Sequence, residues 1–476
     1  MRLCPIYFFP ERKPQGGVRP EARSDFMTGF QELYQQKCVS AEKAVAIIRS
    51  GDVVDYGFFN GKPVVCDQAL AARHGELRDV YIHTAVTIPP VPEVIKYPKS
   101  FVYHDLQFSK LTRVLKSSGF PAYYLPIMYH QAPAWFRDRV ADHRNVVICA
   151  VCPMDRHGYF NLGPHPSATL AAMEEADTVI LEVVQDMPRC LGGAEESVHI
   201  SQVDYVVEAP EDQKMADLPT AEPSQTDRDI ASHIMPFIHD GSCLQLGIGG
   251  MPNAVGKIIA DSDLKDLGGH TEMLSDAYVD MLLSGRMTGQ RKPFDKGRVA
   301  YTFALGSRRL YNFMDNNPAV SAYPASYTND PRVIGQIDDF ISINNALQVD
   351  LYSQINAESL GTTQVSGNGG MWDFVIGAQW SKNGKSFICL ASTYKDSQGN
   401  LRSRVMPRLK EGSIVTIPRH QVDYVVTEFG AARMRAQSTW SRAERIIGLA
   451  HPDFRESLVQ EAETMGIWRQ SNKKDA

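Results

Sequence analysis

QVDYVV occurs twice, at Gln202–Val207 and at Gln421–Val426, inside the longer stretches HISQVDYVV (His199–Val207) and PRHQVDYVV (Pro418–Val426). Six identical residues in the same order relative to other landmarks are improbable by chance and read as the mark of an internal duplication. The start of each half carries a second mark. AEKAVAIIR, with Ser40 as its N-cap and Gly51 past its end, feeds a short apolar strand at Val53 and Val54. DIASHIMPFIHDG feeds SCLQLGIGG in the same way, and Gly51 and Gly57 are answered by Gly241 and Gly247 at equal spacing. Two copies make a duplicated domain, not a solenoid.

The apolar runs VVICAVC, TVILEVV, RVAYTFAL and SFICLAST read as strands, and ATLAAMEEA, AYVDMLLSG and RRLYNFM between them as helices. Such alternation predicts an α/β sheet in each half. Residues 208–226, EAPEDQKMADLPTAEPSQT, are rich in Pro and acidic side chains and read as the linker. The expected organisation is therefore a loose extension over residues 1–26, one domain over 27–207, the linker, and a second domain over 227–476. A cleft between two such domains is the expected place for a small ligand.

Composition narrows the function. The 476 residues are 43% apolar and 22% charged, which suits a folded soluble protein of more than one domain. Lys and Arg number 49 against 55 Asp and Glu, a net charge of −6, so nothing favours a nucleic acid partner. The apolar stretch Val146–Cys152 is far short of the roughly 20 residues that cross a bilayer, and mean hydropathy is −0.26. No membrane span is expected. MRLCPIYFFP is too short and Pro-broken for a secretory segment, and eight sparse cysteines suit a reducing, cytoplasmic compartment. Cys149 and Cys152 form CxxC, but in a continuous apolar strand and without a second pair at zinc spacing, so no metal site is expected.

Three segments could carry chemistry. LGIGGMPNAVGK (Leu246–Lys257) is a strand, a glycine turn and a helix start; its backbone N–H groups could approach an anionic ligand, or the turn is only a tight corner. It is neither a P-loop nor a full GxGxxG. QVSGNGGMWDFVIGA (Gln364–Ala378) is too glycine-dense for a plain strand and could expose further donors, or form a bulge. In GGHTEMLSDAYVDMLLSG, Glu272 precedes a helix and on spacing alone reads as an ordinary first-turn charge. Basic clusters at Arg286–Arg298, Arg308–Arg309 and Arg402–Lys410 could meet phosphates, with a solvated face as the plainer reading. GxSxG and HExxH are absent, which weakens Ser hydrolase and zinc protease readings.

LQLGIGGMPNAV, HTEMLSDAYVD, FALGSRRLYNFMDNNP, INNALQVDLYSQINAESLG, SGNGGMWDFVIGA, QVDYVVTEFG and AHPDFRESL, in this order, resemble the acetyl-CoA hydrolase/transferase family over nearly the whole chain from Met27. The resemblance implies two similar α/β CoA-transferase domains with the active site in the cleft between them. It implies transfer of CoA between a short-chain acyl-CoA and an acetate, butyrate or 4-hydroxybutyrate acceptor. The route would be ping-pong through a glutamyl-CoA thioester, with an acyl-CoA hydrolase as the alternative and an inactive CoA-binding module as a weaker one.

By the same resemblance Glu272, in His270-Thr271-Glu272-Met273, is the catalytic nucleophile, against the plain reading of its spacing. Gly247, Ile248, Gly249, Gly250 and Met251 would form the oxyanion hole and CoA site, with the Ile248 N–H as donor and Gly369 or Gly370 as the second contact. Leu347 and Lys395 would touch CoA, and Asn329 would hold the acyl carboxylate. CoA is then a substrate and no cofactor is bound permanently. The expected partners are acyl-CoA and short-chain carboxylates, in a homo-oligomer.

Overall fold

The computed structural model describes residues 20–218, 222–247 and 249–468, with side chains described from residue 29. Helix α1 (Pro20–Lys37) covers part of the stretch expected to be loose. Residues 1–19 lie outside the described residues. Helix α2 (Ala41–Val45) is shorter than AEKAVAIIR suggests. Ser40 Oγ caps its start by accepting from the Lys43 N–H, and Arg73 ends it by donating to the carbonyls of Val45 and Ile48.

The first sheet holds β1 (Val53–Phe58), β2 (Val80–Ala85), β3 (Phe101–Asp105), β4 (Ala122–Tyr124), β5 (Val146–Val151), β6 (Thr178–Val183) and β7 (Tyr205–Glu208). Their order is β4-β3-β2-β1-β5-β6-β7, and every pairing is parallel. A parallel sheet is covered on both faces, which is why the whole of β5, VVICAV, is apolar and buried. The second sheet holds β8 (Cys243–Leu246), β9 (Gly268–Gly269), β10 (Phe340–Asn345), β11 (Lys385–Cys389), β12 (Tyr424–Thr427) and β13 (Gly430–Arg433). Its order is β9-β8-β10-β11-β12-β13, parallel up to an antiparallel edge at β13.

Each QVDYVV ends in the last parallel strand of its sheet, with Tyr205 opposite Ile180 and Tyr424 opposite Phe387. Gly51 and Gly241, just ahead of β1 and β8, have φ of +87° and +86°. RVAYTFAL, read above as one strand, is two. Val299–Tyr301 pairs with Val320–Ala322, and Phe303–Ala304 pairs with Met273–Leu274. The break falls at Thr302 because the N–H groups of Thr302 and Phe303 both donate to the Glu272 carbonyl, at 3.0 and 3.1 Å.

The halves share a core. Ala150, Cys152 and Met187 of the first half pack in one apolar cluster with Leu244, Leu246 and Tyr278 of the second. Residues 208–218 of the expected linker are tied down: Met215 is buried, its N–H donates to Asp186, and the Leu218 N–H donates to the Gly306 carbonyl. Among the described residues no helix is long and apolar enough to cross a membrane.

Among the buried charged side chains of the first half, Arg144 and Asp55 form an ion pair. Arg144 Nε donates to Asp55 Oδ2 at 2.6 Å, and its guanidinium lies 3.6 Å from the centre of the Phe136 ring. Arg144→Leu strands the Asp55 carboxylate without its partner and should cost about 3–5 kcal/mol, read from the denaturant midpoint. Adding Asp55→Asn should recover part of that loss; a wild-type midpoint for Arg144→Leu would contradict the ion pair's role.

Candidate active site

Glu272 sits between β9 and the short strand Met273–Leu274, at the seam of the two halves. Its backbone is fixed from both. The first half reaches it through the 164–167 loop: the Ala304 N–H donates to the Pro164 carbonyl, and the Ser167 N–H to the Thr302 carbonyl. Phe59 stacks on Phe303 with ring centroids 3.6 Å apart. The Phe303 segment is thereby clamped, and through its N–H bonds to the Glu272 carbonyl it holds the nucleophile candidate in place.

The rest of the HTEM segment is structural support. His270 is buried, and its Nε2 donates to the Thr328 carbonyl at 2.8 Å. Burial and the neighbouring Lys292 push the imidazole down to about 3, so it is neutral and Nε2 carries the proton. That bond pins the turn carrying Asn329. Asn329 is fully buried and its Nδ2 donates to Glu272 Oε2 at 2.6 Å. Burial pushes the Glu272 carboxyl up to about 7; the negative charge of Asp373 adds to this, while Asn329 and the Gly370 amide pull the other way.

The second glycine segment packs directly against Glu272 and Asn329. Gly370 caps helix α3 (Met371–Trp380), and a Cβ there would overlap both Glu272 Oε2 and Asn329 Nδ2, so only glycine admits this approach. Gly369 has φ +50° and lies against Gln107. The turn is docked on the first half. Tyr124 and Asn368 bond to one another through side chain and backbone, Asn368 Nδ2 donates to the Ile127 carbonyl at 3.0 Å, and Arg113 reaches the Val365 carbonyl.

Two cavities meet at Glu272. One, about 200 Å³, is polar and runs along the carboxyl ends of β8 and β10, past Gln245, Gly247, Asn344 and Asn345, to Gly369 and Gly370. The carboxyl ends of strands flanking a switch in connection order are where α/β sheets hold ligands. The other, about 50 Å³, is apolar and is walled by Phe59, Val86, Leu106, Ile127 and Phe303. Tyr129 also lines it, but its hydroxyl is spent on Ser167 at 2.7 Å. Gln107 and Gly369 border both.

The residues singled out in the sequence are only partly brought together. Gly247, Gly369 and Gly370 line the polar cavity with Glu272, and Asn329 bonds to Glu272 itself. Ile248 lies outside the described residues. Gly249 has φ +119° and starts helix α4 (Gly250–Asp261), where Gly250 rests on the Asp227 carboxylate and the Met251 side chain is core. These three do not line the cavity. Leu347 is two residues beyond Asn345, its N–H on the Asn356 carbonyl and its carbonyl held by Arg404. Lys395 is exposed on the hairpin of Thr393–Lys395 and Leu401–Ser403. Several basic residues are spent on carboxylates, as in Arg291–Asp266, Arg308–Asp186, Arg309–Asp280 and Arg402–Asp396. Among the described residues no cluster of His, Cys, Asp or Glu gathers to hold a metal ion.

Phe59, Gln107, Tyr124, Ile127 and Tyr129, all from the first half, were not singled out from the sequence. They stand in runs without a motif and acquire a role only by folding against the second half. Asp373 was within reach of the sequence reading, three residues past Gly370 in the quoted SGNGGMWD.

Residues 22–216 match the acetyl-CoA hydrolase/transferase N-terminal domain, and residues 306–462 match the C-terminal domain of the same family. The chain is similar to the butyryl-CoA:acetate CoA-transferase of Anaerostipes caccae, at 48% identity over 93% of this chain and 100% of that one. Among solved structures it resembles RipA from Yersinia pestis, with a TM-score of 0.83 and 34% identity over 92% of this chain and 99% of that one. It also resembles a 4-hydroxybutyrate CoA-transferase from Porphyromonas gingivalis, with a TM-score of 0.74 and 32% identity over 92% and 100%.

The Glu272 carboxyl should titrate near 7, seen as a carboxylate infrared band that grows in through neutral pH and is missing from Glu272→Gln. Asn329→Ala removes a donor to the charged form and should move that midpoint upward. A midpoint at the ordinary 4.5 would show that the carboxylate is hydrated.

Proposed function

The chain is a CoA-transferase that belongs to the acetyl-CoA hydrolase/transferase family, and on that footing we propose that it moves CoA from a short-chain acyl-CoA to a short-chain carboxylate, of the acetate, butyrate or 4-hydroxybutyrate class, through Glu272. The observation that carries the reading is the position of this carboxylate where a wide polar cavity and a tight apolar one meet. CoA enters through the first and the acyl group occupies the second. At about 50 Å³ the apolar cavity suits a short chain only.

A Glu272 oxygen attacks the thioester carbonyl, the C–S bond breaks, and CoA leaves as the thiolate beside an acyl-glutamyl anhydride. The thiolate then attacks the glutamyl Cδ. The anhydride C–O bond breaks, the donor carboxylate departs, and a glutamyl-CoA thioester remains. An acceptor carboxylate attacks the same Cδ, and the two steps run in reverse to give the new acyl-CoA and free Glu272. Backbone N–H groups of Ile248 and Gly370 take the developing oxyanions, each contributing about 3 kcal/mol. Asn329 holds the carboxylate oxygens, first of Glu272 and then of the carboxylate that replaces it. Leu347 and Lys395, outside the cavity wall, are assigned to the far end of CoA. Water must be excluded, since hydrolysis of either intermediate wastes the thioester, and the apolar walls beside Glu272 favour transfer over hydrolysis.

We also infer that the two halves descend from one duplicated unit. The support is the shared strand order, in which β1 lies between β2 and β5 as β8 lies between β9 and β10, with QVDYVV in the same place.

Incubation with butyryl-CoA and no acceptor should leave CoA on the peptide that carries Glu272, seen as a mass increase. Borohydride should inactivate the enzyme only when acyl-CoA is present. Glu272→Ala should form no adduct and retain less than about 1% of transfer, and Glu272→Asp should be nearly as poor, because a retreat of about 1 Å misplaces the attacking atom. An adduct on Cys243 instead, or steady release of free CoA without any adduct, would refute the glutamyl route.

Gly370→Ala tests the close approach. The added methyl displaces the Glu272 carboxylate and should lower kcat by about 10²-fold or more while the fold is kept. Unchanged kinetics would make the SGNGG turn a structural corner.

A further inference from the structure

Behind Asn329, on the side away from both cavities, two titratable side chains form a pair that the transfer steps do not use. Asp373 projects from the first turn of α3 and is 1% exposed. It accepts twice from one residue of the first half: the His130 backbone N–H reaches Oδ2 at 3.1 Å, and His130 Nδ1 reaches Oδ1 at 2.7 Å. Asn329 stands between this pair and Glu272, and its amide hydrogens serve both carboxylates. The result is a line of contacts from Glu272 through Asn329 and Asp373 to His130.

We propose that Asp373 and His130 are positioning residues for Glu272: His130 fixes the buried Asp373 carboxylate, and Asp373 in turn holds the Asn329 amide against Glu272. This rests on the reading of Glu272 as nucleophile. A carboxylate must be ionised to attack, yet a second negative charge close by disfavours ionisation. Asp373 is that charge. Its own carboxyl is pushed up by burial and drawn back chiefly by the hydrogen bonds from His130, so His130 is what favours a charged Asp373 beside Glu272.

Other groups around Glu272 do not supply this control. Tyr129, across the apolar cavity, is held far above its usual range by burial and stays neutral. His270 is neutral, and Lys292 behind it is committed to the carbonyls of Gly269 and Arg298. Asp330 is paired with Arg332 at 2.6 Å. His130, by contrast, bonds to Asp373 directly and borders an open hollow lined by Trp135, Trp372 and Trp380.

The test is the acidic limb of the pH profile, read as kcat/KM and as the rate at which the CoA adduct forms on Glu272. Asp373→Asn removes the negative charge and should move the limb to lower pH, by about one unit. His130→Asn loosens the hold on the Asp373 carboxylate, lets burial raise that carboxyl further, and should move the limb to lower pH by less than Asp373→Asn does. The double variant should follow Asp373→Asn, because His130 acts only through Asp373. Circular dichroism checks the fold, and His130→Gln replaces His130→Asn if the latter does not fold. Shifts in opposite directions, or lowered kcat with an unmoved limb, would overturn the inference and leave the pair a structural contact. A wild-type enzyme that forms no Glu272 adduct at any pH would instead sink the nucleophile reading, and this inference with it.

Discussion

A carboxylate that is to react, as proposed for Glu272, has to lose its water without losing its charge, and in this protein that requirement rests on the 2.6 Å hydrogen bond from Asn329 to Glu272. Burial alone pushes the Glu272 carboxyl up, and Asp373 adds to the push. Asn329 and the Gly370 amide counter both, leaving the group near 7, where a substantial part of it is ionised at neutral pH although it is weakly solvated. The rest of the site serves those two donors. His270 anchors the Asn329 turn from below, and Tyr124 and Ile127 anchor the glycine turn from the other half.

The same requirement explains why the halves are packed as one body. Glu272, Asn329 and Gly370 all belong to the second half, yet none is positioned by the second half alone. The Glu272 carbonyl is fixed by Thr302 and Phe303, and these are clamped by the 164–167 loop and by Phe59. The apolar cavity is walled mostly by the first half, with Phe303 and Gly369 from the second. A buried acid at an interface is held to tolerances that a mobile hinge could not supply, and a shared core joining Ala150 and Met187 to Leu244 and Tyr278 provides the stiffness.

Reading the chain residue by residue reached the architecture well and the site unevenly. Alternating apolar runs and glycine-marked helix ends placed the α/β sheets, because their periodicity is local. It misjudged RVAYTFAL, whose apolar content is that of a strand, because the break at Thr302 is imposed by the Glu272 carbonyl. Spacing likewise reduced Glu272 to a first-turn charge; only the family resemblance raised it, and only the fold shows the carboxylate desolvated between two cavities.

What the sequence determined by itself, then, is whatever depends on neighbours along the chain: strand and helix pattern, the repeated QVDYVV, and glycines where backbone must pass closely. The tertiary structure alone decided which residues face Glu272. Phe59, Gln107, Tyr124 and His130 lie more than a hundred residues from Glu272 in the chain and carry no local signature. Their roles arise from desolvation and hydrogen-bond geometry across the seam, and those are properties of packed surfaces, which a one-dimensional pattern does not encode.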